Sequence, residues 1–219
     1  MGAELRVADP HTGHPGSLLT QLEPVVGRSA LGWVAETPGE TLLMADHVLE
    51  LLERRKGGWR RHNGDQRPLV LLVDEFAESL RLLSPRDRER LLDKIQIIAY
   101  SGRKYSVACV LLAQSWLTAA INSSQVRNPL RAAVVHAMRA DEGRALTGLR
   151  AEAWPADPSM LEPGEAYVLG VGASGLVRVR VPLLGPSTRA GAYAHADSEP
   201  APDRLQTGST RLHDAPCQP

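Results

Sequence analysis

The run Pro68-Leu-Val-Leu-Leu-Val-Asp74-Glu75 constrains this chain more than any other feature. Leu69 to Val73 is wholly apolar, short, and bounded by a proline and two acids. A strand buried on both faces reads this way, and such strands belong to parallel sheets covered by helices. Downstream, Ser84-Pro85-Arg86-Asp87 has the form of a helix start. Leu91, Leu92, Ile95, Ile98 and Ala99 then fall in a helical stripe that ends at Gly102. Val107 to Ala113 is a second apolar strand. Strand, helix, strand in this order is a crossover unit, so the predicted class is α/β with a mostly parallel sheet.

Other elements are read around this unit. Glu4 to Ala8 is a short strand ended by Asp9-Pro10-His11, and Ser17 to Leu22 a short helix. Thr37-Pro38 opens an amphipathic helix carrying Leu42, Ala45, Val48, Leu49 and Leu52, expected to stop at Gly57-Gly58. Trp59 to Gln66 reads as a polar loop. Ala132 to Met138 is a third strand and Asp141 to Leu149 a helix. Glu165 to Gly170 and Leu176 to Val181 flank Gly172-Ala-Ser-Gly175, the pattern of a β-hairpin at the sheet edge. From Gly185 to Pro219 apolar content falls away, so the expected organisation is one domain over 1–184 and a disordered tail over 185–219.

Composition excludes some functions. The 25 basic and 25 acidic residues balance, which gives no general attraction to nucleic acid or an anionic membrane. Glu4 and Arg6 interrupt any early apolar stretch, so no secretory leader is expected. No run approaches the ~20 apolar residues that a membrane span requires. Cys109 sits in a strand and Cys217 in the tail, which suggests no disulfide framework and fits a cytoplasmic location. His11 and His14 lack further ligands at metal spacing. The basic groups Arg54-Arg55-Lys56 and Arg60-Arg61-His62 could face DNA, but a solvated helix end and loop explains them as well.

The chemistry lies at the strand ends. An aliphatic strand closing on Asp-Glu is the Walker B arrangement, because strand C-termini face the ligand crevice of an α/β sheet. Asp74 could hold a magnesium ion that bridges nucleotide phosphates. Glu75 could orient or deprotonate the attacking water. A solvated acidic turn would leave the same residues. One crossover later, Gln114 ends the next strand, and parallel pairing would put it on the same edge as Glu75. A neutral amide there can bond both a phosphate and a water, although a turn residue is the plainer alternative.

The segments "LVLLVDEFAESL", "GRKYSVACVLLAQSW" and "NPLRAAVVHAMRADEGRALTG" resemble, in order and spacing, the Walker B, sensor and following strand-helix blocks of FtsK/HerA-type translocases. "RVADPHTGHPGSLLTQLEPV" is similar to the strand after the P-loop helix in HerA-like members. The resemblance runs from about Leu5 to Leu184. It implies a RecA-like fold, a homo-oligomeric (usually hexameric) ring, ATP hydrolysis between subunits and threading of double-stranded DNA. It also implies Asp74 as the Mg2+ residue, Glu75 as base, Gln114 as sensor, and Arg103 as an arginine reaching a neighbour's nucleotide. A cation favoured by the helix C-terminus is the alternative for Arg103. Arg131 is a weaker candidate of the same kind.

One part of the pattern is missing. A P-loop needs glycines followed by Lys and Ser/Thr, and none of Lys56, Lys94 and Lys104 is followed by either. Only eight residues precede Asp9, too few for the strand and helix that carry such a loop. The chain therefore reads as a truncated product, a misplaced start, or a non-hydrolysing RecA-like regulatory or DNA-binding subunit. An unrelated, receiver-like α/β domain is the plainest alternative. If the P-loop strand normally lies beside Leu69–Val73, its loss should either draw Glu4–Ala8 into the gap or leave the chain unstable alone.

Overall fold

The computed structural model describes residues 2–27, 30–62, 67–117, 121, 124–130, 132–170 and 175–180. Strand β1 (Glu4–Ala8) leads through helix α1 (Leu18–Val26) to β2 (Leu31–Ala35). Helix α2 (Pro38–His62) returns the chain to β3 (Leu69–Val73). After β3 come α3 (Phe76–Leu82), α4 (Pro85–Ser101) and β4 (Val107–Leu111). The four strands form one parallel sheet in the order β2-β1-β3-β4. This confirms the α/β class and the crossover between β3 and β4.

Local chemistry explains the helix starts. Thr37 Oγ1 accepts from the Glu40 amide at 3.2 Å, while Glu40 Oε2 accepts from the Glu36 and Thr37 amides at 2.8 and 3.1 Å. That reciprocal box satisfies amides with no partner inside α2. Ser84 caps α4 through the Asp87 amide, with Pro85 following it. At the other end of α4, a Cβ on Gly102 would stand 2.5 Å from the Val107 carbonyl oxygen. Only glycine permits that close approach between the helix end and β4.

The core lies between the sheet and helices α2 and α4. Leu69, Leu71, Val73 and Val107 are buried against Val48, Leu52, Leu91, Ile95 and Ile98. Both connections that run toward β4 place their helices on this face. The connection from β1 to β2 runs the other way, and a right-handed crossover there sets α1 on the opposite face.

Several expectations are corrected. Helix α2 continues through Gly57-Gly58 to His62, because open space surrounds Gly57 and interior glycine costs only ~1 kcal/mol. Strand β5 (Ala133–Val135) does not extend the parallel sheet. It follows a short helix α5 (Ser124–Arg127) and precedes α6 (Ala140–Thr147). It then pairs antiparallel with β6 (Glu165–Leu169), which pairs antiparallel with β7 (Val177–Arg180). The predicted hairpin is therefore present, but in a second, three-stranded sheet. That sheet has its own core of Val135, Leu146, Leu161 and Tyr167, and Trp116 packs against both cores. For Leu69–Val73 the first of the two expected outcomes holds: Glu4–Ala8 pairs with all five of its residues on one side, and β4 pairs with them on the other. Among the described residues the outer strands of this sheet are β2 and β4. The tail over 185–219 lies outside the described residues.

Candidate functional site at the strand ends

Strand β3 delivers Asp74 and Glu75 to the C-terminal edge of the sheet. The Asp74 amide donates to the Ala8 carbonyl at 2.9 Å, so β1 holds it in place. The Asp74 carboxylate accepts from the Glu75 amide at 3.0 Å. Burial raises its pKa above the ordinary aspartate value. The Glu75 amide bond opposes that shift, the nearby charges of Asp9 and Glu75 reinforce it, and His11 opposes it. A partly buried carboxylate that resists losing its proton is one that a cation would stabilise.

Glu75 adopts a left-handed conformation, φ 44° and ψ 46°. Such a backbone is uncommon for a residue with a side chain and clusters at functional sites. It arises where the end of β3 must turn at once into α3. The Phe76 amide is bound to the Leu112 carbonyl at 2.8 Å, and the Leu112 amide to the Val73 carbonyl at 2.9 Å. These bonds pin the turn to the end of β4. The Glu75 side chain makes no cap to α3. Instead, its Oε1 accepts from Gln114 Nε2 at 2.7 Å. Two residues 39 positions apart thus meet on one edge, as the parallel pairing of their strands requires.

Sequence reasoning did not single out Asp9, which is fully buried beside this pair. Its Oδ1 accepts from the His11 amide at 2.9 Å and its Oδ2 from the Leu19 amide at 2.8 Å. The second donor belongs to the first turn of α1, where a carboxylate is favoured. The Asp9-Pro10 turn signal was the visible clue. His14 serves its own turn, with Nδ1 accepting from the Gly16 amide at 3.1 Å.

Arg103 lies elsewhere. It is exposed in the short 3-10 turn Gly102–Tyr105, before the start of β4. Five residues of strand, about 17 Å, separate that end from Gln114. Arg131 is outside the described residues, as are the side chains of Arg60, Arg61 and His62. Arg55 is not available to DNA. It is 8% exposed, and its guanidinium donates to the carbonyls of Tyr105, Ser106 and Arg67 at 2.8 to 2.9 Å. Lys56 pairs with Glu53 at 2.5 Å.

The donor set fits half of a nucleotide site. Among the described residues, no group of three or more His, Cys, Asp and Glu is placed to hold a metal. Magnesium bound chiefly by phosphates needs only one or two carboxylates from protein, and Asp74 meets that need. A triphosphate does not fit by itself, since these 219 residues contain no lysine followed by Ser or Thr for a phosphate cradle.

No family model and no curated protein matches this sequence. Solved structures do. The pCW3 conjugation coupling protein TcpA, in monomer form with ATPγS, superposes with a TM-score of 0.61 at 13% identity, over 88% of this chain and 57% of TcpA. The cytoplasmic domain of the type VII secretion ATPase EccC of Thermomonospora curvata gives 0.59 at 17% identity, over 89% of this chain and 24% of EccC. The genome-packaging NTPase B204 of Sulfolobus turreted icosahedral virus 2, solved with ATPγS, gives 0.49 at 14% identity, over 83% and 84% of the two chains. The likeness is one of fold: TcpA and EccC share with this chain a parallel sheet flanked by helices. This chain spans 57% of TcpA and 24% of EccC. Among the described residues, no helix is long and apolar enough to cross a membrane.

Proposed function

We propose that this chain is the water-activating part of an ATP-driven DNA translocase motor, with ATP hydrolysis coupled to DNA movement in the complete form. One observation carries the reading: the 2.7 Å bond between Gln114 Nε2 and Glu75 Oε1 at the C-terminal ends of adjacent parallel strands. In this role Asp74 would hold Mg2+, which supplies charge stabilisation at the phosphates. Glu75 keeps its second carboxylate oxygen for the proton of a water. Gln114 fixes the first oxygen and so orients the carboxylate, while its own carbonyl oxygen stays available as an acceptor. Arg103 lies at the far end of β4, a position that suits action on a neighbouring subunit's nucleotide in a homo-oligomeric ring rather than on its own. Double-stranded DNA as the substrate rests on the resemblance to FtsK/HerA-type translocases.

The missing cradle supports a second reading, a RecA-like regulatory or DNA-binding subunit that hydrolyses nothing. ATP turnover separates the two. The 219-residue chain alone should show none above background. A fusion that adds a strand, a Gly-Lys-Ser/Thr loop and a helix before Glu4 should hydrolyse ATP, and Glu75→Gln in that fusion should cost about 100-fold or more in kcat, typical of losing a general base. A silent fusion that binds ATP would establish the second reading.

A further inference from the structure

The chain runs from Gln114 at the end of β4 to Trp116 within two residues. Among the described residues, Trp116 is the one hydrophobic side chain that packs against both cores. In the first core it joins Leu111 and Ala113, the residues that lead up to Gln114. In the second it joins Val135, Leu146, Leu161 and Tyr167. Tyr167 is held in its turn by Trp154, with ring centroids 5.4 Å apart and planes at 84°, and its hydroxyl donates to the Ala156 carbonyl at 3.3 Å. The surface that receives Trp116 on that side is therefore fixed by its own packing.

The bond between Gln114 and Glu75 needs such a fixed point. Gln114 is exposed and lies beyond the last residue of β4. Holding its long side chain in one rotamer costs entropy that offsets much of what a hydrogen bond to a carboxylate returns. The bond therefore persists only where the backbone that carries Gln114 is already held. Upstream, the Leu112 amide donates to the Val73 carbonyl at 2.9 Å, and the Leu112 carbonyl accepts from the Phe76 amide at 2.8 Å. Downstream, the anchor is the indole of Trp116.

We infer that Trp116 is a positioning residue for Gln114: standing in both cores, it clamps the segment past β4 and so holds the Gln114 amide on the Glu75 carboxylate. The inference rests on the proposed role of that pair and adds the second sheet to the parts that set the site. A displacement of the second sheet from the first would release Gln114 from Glu75 with no change in the strands that carry the acids. A second tie joins the two cores elsewhere. Val126 of α5 is buried in the first core, and Arg127 beside it donates to the Ala145 carbonyl of α6. That tie includes no residue of the acidic corner.

The test is nuclear magnetic resonance of the full 219-residue chain, read at the side-chain amide of Gln114, with Glu75→Ala supplying its unbonded reference. Trp116→Ala should move that resonance toward the reference and speed exchange of its hydrogens by about three- to tenfold, the range of one hydrogen bond. Trp116→Phe should fall between, and it carries the test if the alanine variant does not fold. Val135→Ala, in the second core, should move the resonance the same way and add little in either Trp116 background. Arg127→Met, which cuts the other tie, should leave it in place. An unmoved resonance in the folded Trp116 variants would overturn the inference, as would a Val135→Ala shift that persists without the indole. So would an equal shift in Arg127→Met, which would mean general loosening and no clamp. In the fusion that carries a Gly-Lys-Ser/Thr loop, Trp116→Phe should lower kcat with KM little changed, because Gln114 orients Glu75 and does not hold the nucleotide. A silent fusion in which Trp116 still governs the Gln114 resonance would refute the motor reading alone. Turnover that Trp116→Phe does not alter would refute the clamp alone.

Discussion

Arg55 offers the sharpest energetic test of the fold, because sequence alone grouped it with solvent-facing arginines and the structure buries it. Its guanidinium spans three carbonyls, those of Tyr105, Ser106 and Arg67, and so ties α2 to the entries of β3 and β4. Arg55→Met keeps the length of the apolar stem and removes the fork. Hydrogen bonds from a charged donor are worth about 1.5–3 kcal/mol each, but the three do not simply add. The Ser106 carbonyl still accepts from the Leu69 amide, and Arg67 is exposed, so water replaces that bond. Roughly one to two bonds are lost outright, about 3–4 kcal/mol. Part of this returns, because burial disfavours the charged guanidinium and lowers its pKa. The net loss is about 2–3 kcal/mol, or roughly 4–12 °C in Tm for a domain of this size. Arg55→Lys should recover only part of it, since a point ammonium cannot fork to three acceptors. Thermal unfolding followed by circular dichroism is the assay, with Arg54→Met as the exposed control. If Arg55→Met melts with wild type, or if Arg54→Met falls equally far, the argument fails.

Two further outcomes follow from the acidic corner. The Asp74 carboxyl, with its pKa raised by burial, holds its proton to higher pH in the folded chain than in the unfolded one. Its contribution to stability is therefore present at low pH and is lost as pH rises through the folded value. Asp74→Asn should flatten that part of the stability–pH curve and raise Tm at neutral pH, and an unchanged curve would contradict the assignment. At Glu75, φ 44° favours asparagine and penalises β-branched side chains. Glu75→Asn should raise stability by about 1 kcal/mol and Glu75→Val lower it by about 1–2 kcal/mol. Equal melting temperatures would show that the turn carries no strain.

The parts of this fold legible in the sequence were those whose chemistry is local or continuous. Strands β3 and β4 are unbroken apolar runs, and their parallel pairing was enough to bring Gln114 to Glu75. Strand β2 escaped notice because Leu31–Ala35 is an edge strand containing Gly32, too short and mixed to show a period. Helix α3 was hidden because it starts directly at the Asp74-Glu75 turn, without a capping signal of its own. The pairing of β5 with β6 joins segments about 30 residues apart, and no local pattern specifies such a partner. Arg55 did leave a trace. Val48, Leu52 and Arg55 follow one another at helical spacing on the buried stripe of α2, which set Arg55 apart from Arg54. Asp9 gave only the turn signal beside it, since its burial depends on α1 folding back to offer the Leu19 amide.

Asp9, Asp74, Glu75 and the neutral Gln114 gather where the strands end, while Glu4, Arg55 and Arg103 stand at the edge where the strands begin, about 17 Å away along β4. Arg55 is consumed by backbone carbonyls, while Arg103 and Lys104 stand exposed in the turn before β4. A guanidinium at that distance cannot reach a phosphate held at its own chain's acidic corner. If Arg103 acts on a nucleotide, the acceptor belongs to another subunit. At the opposite edge the raised pKa of Asp74 comes first from its burial, with the charges of Asp9 and Glu75 adding to it.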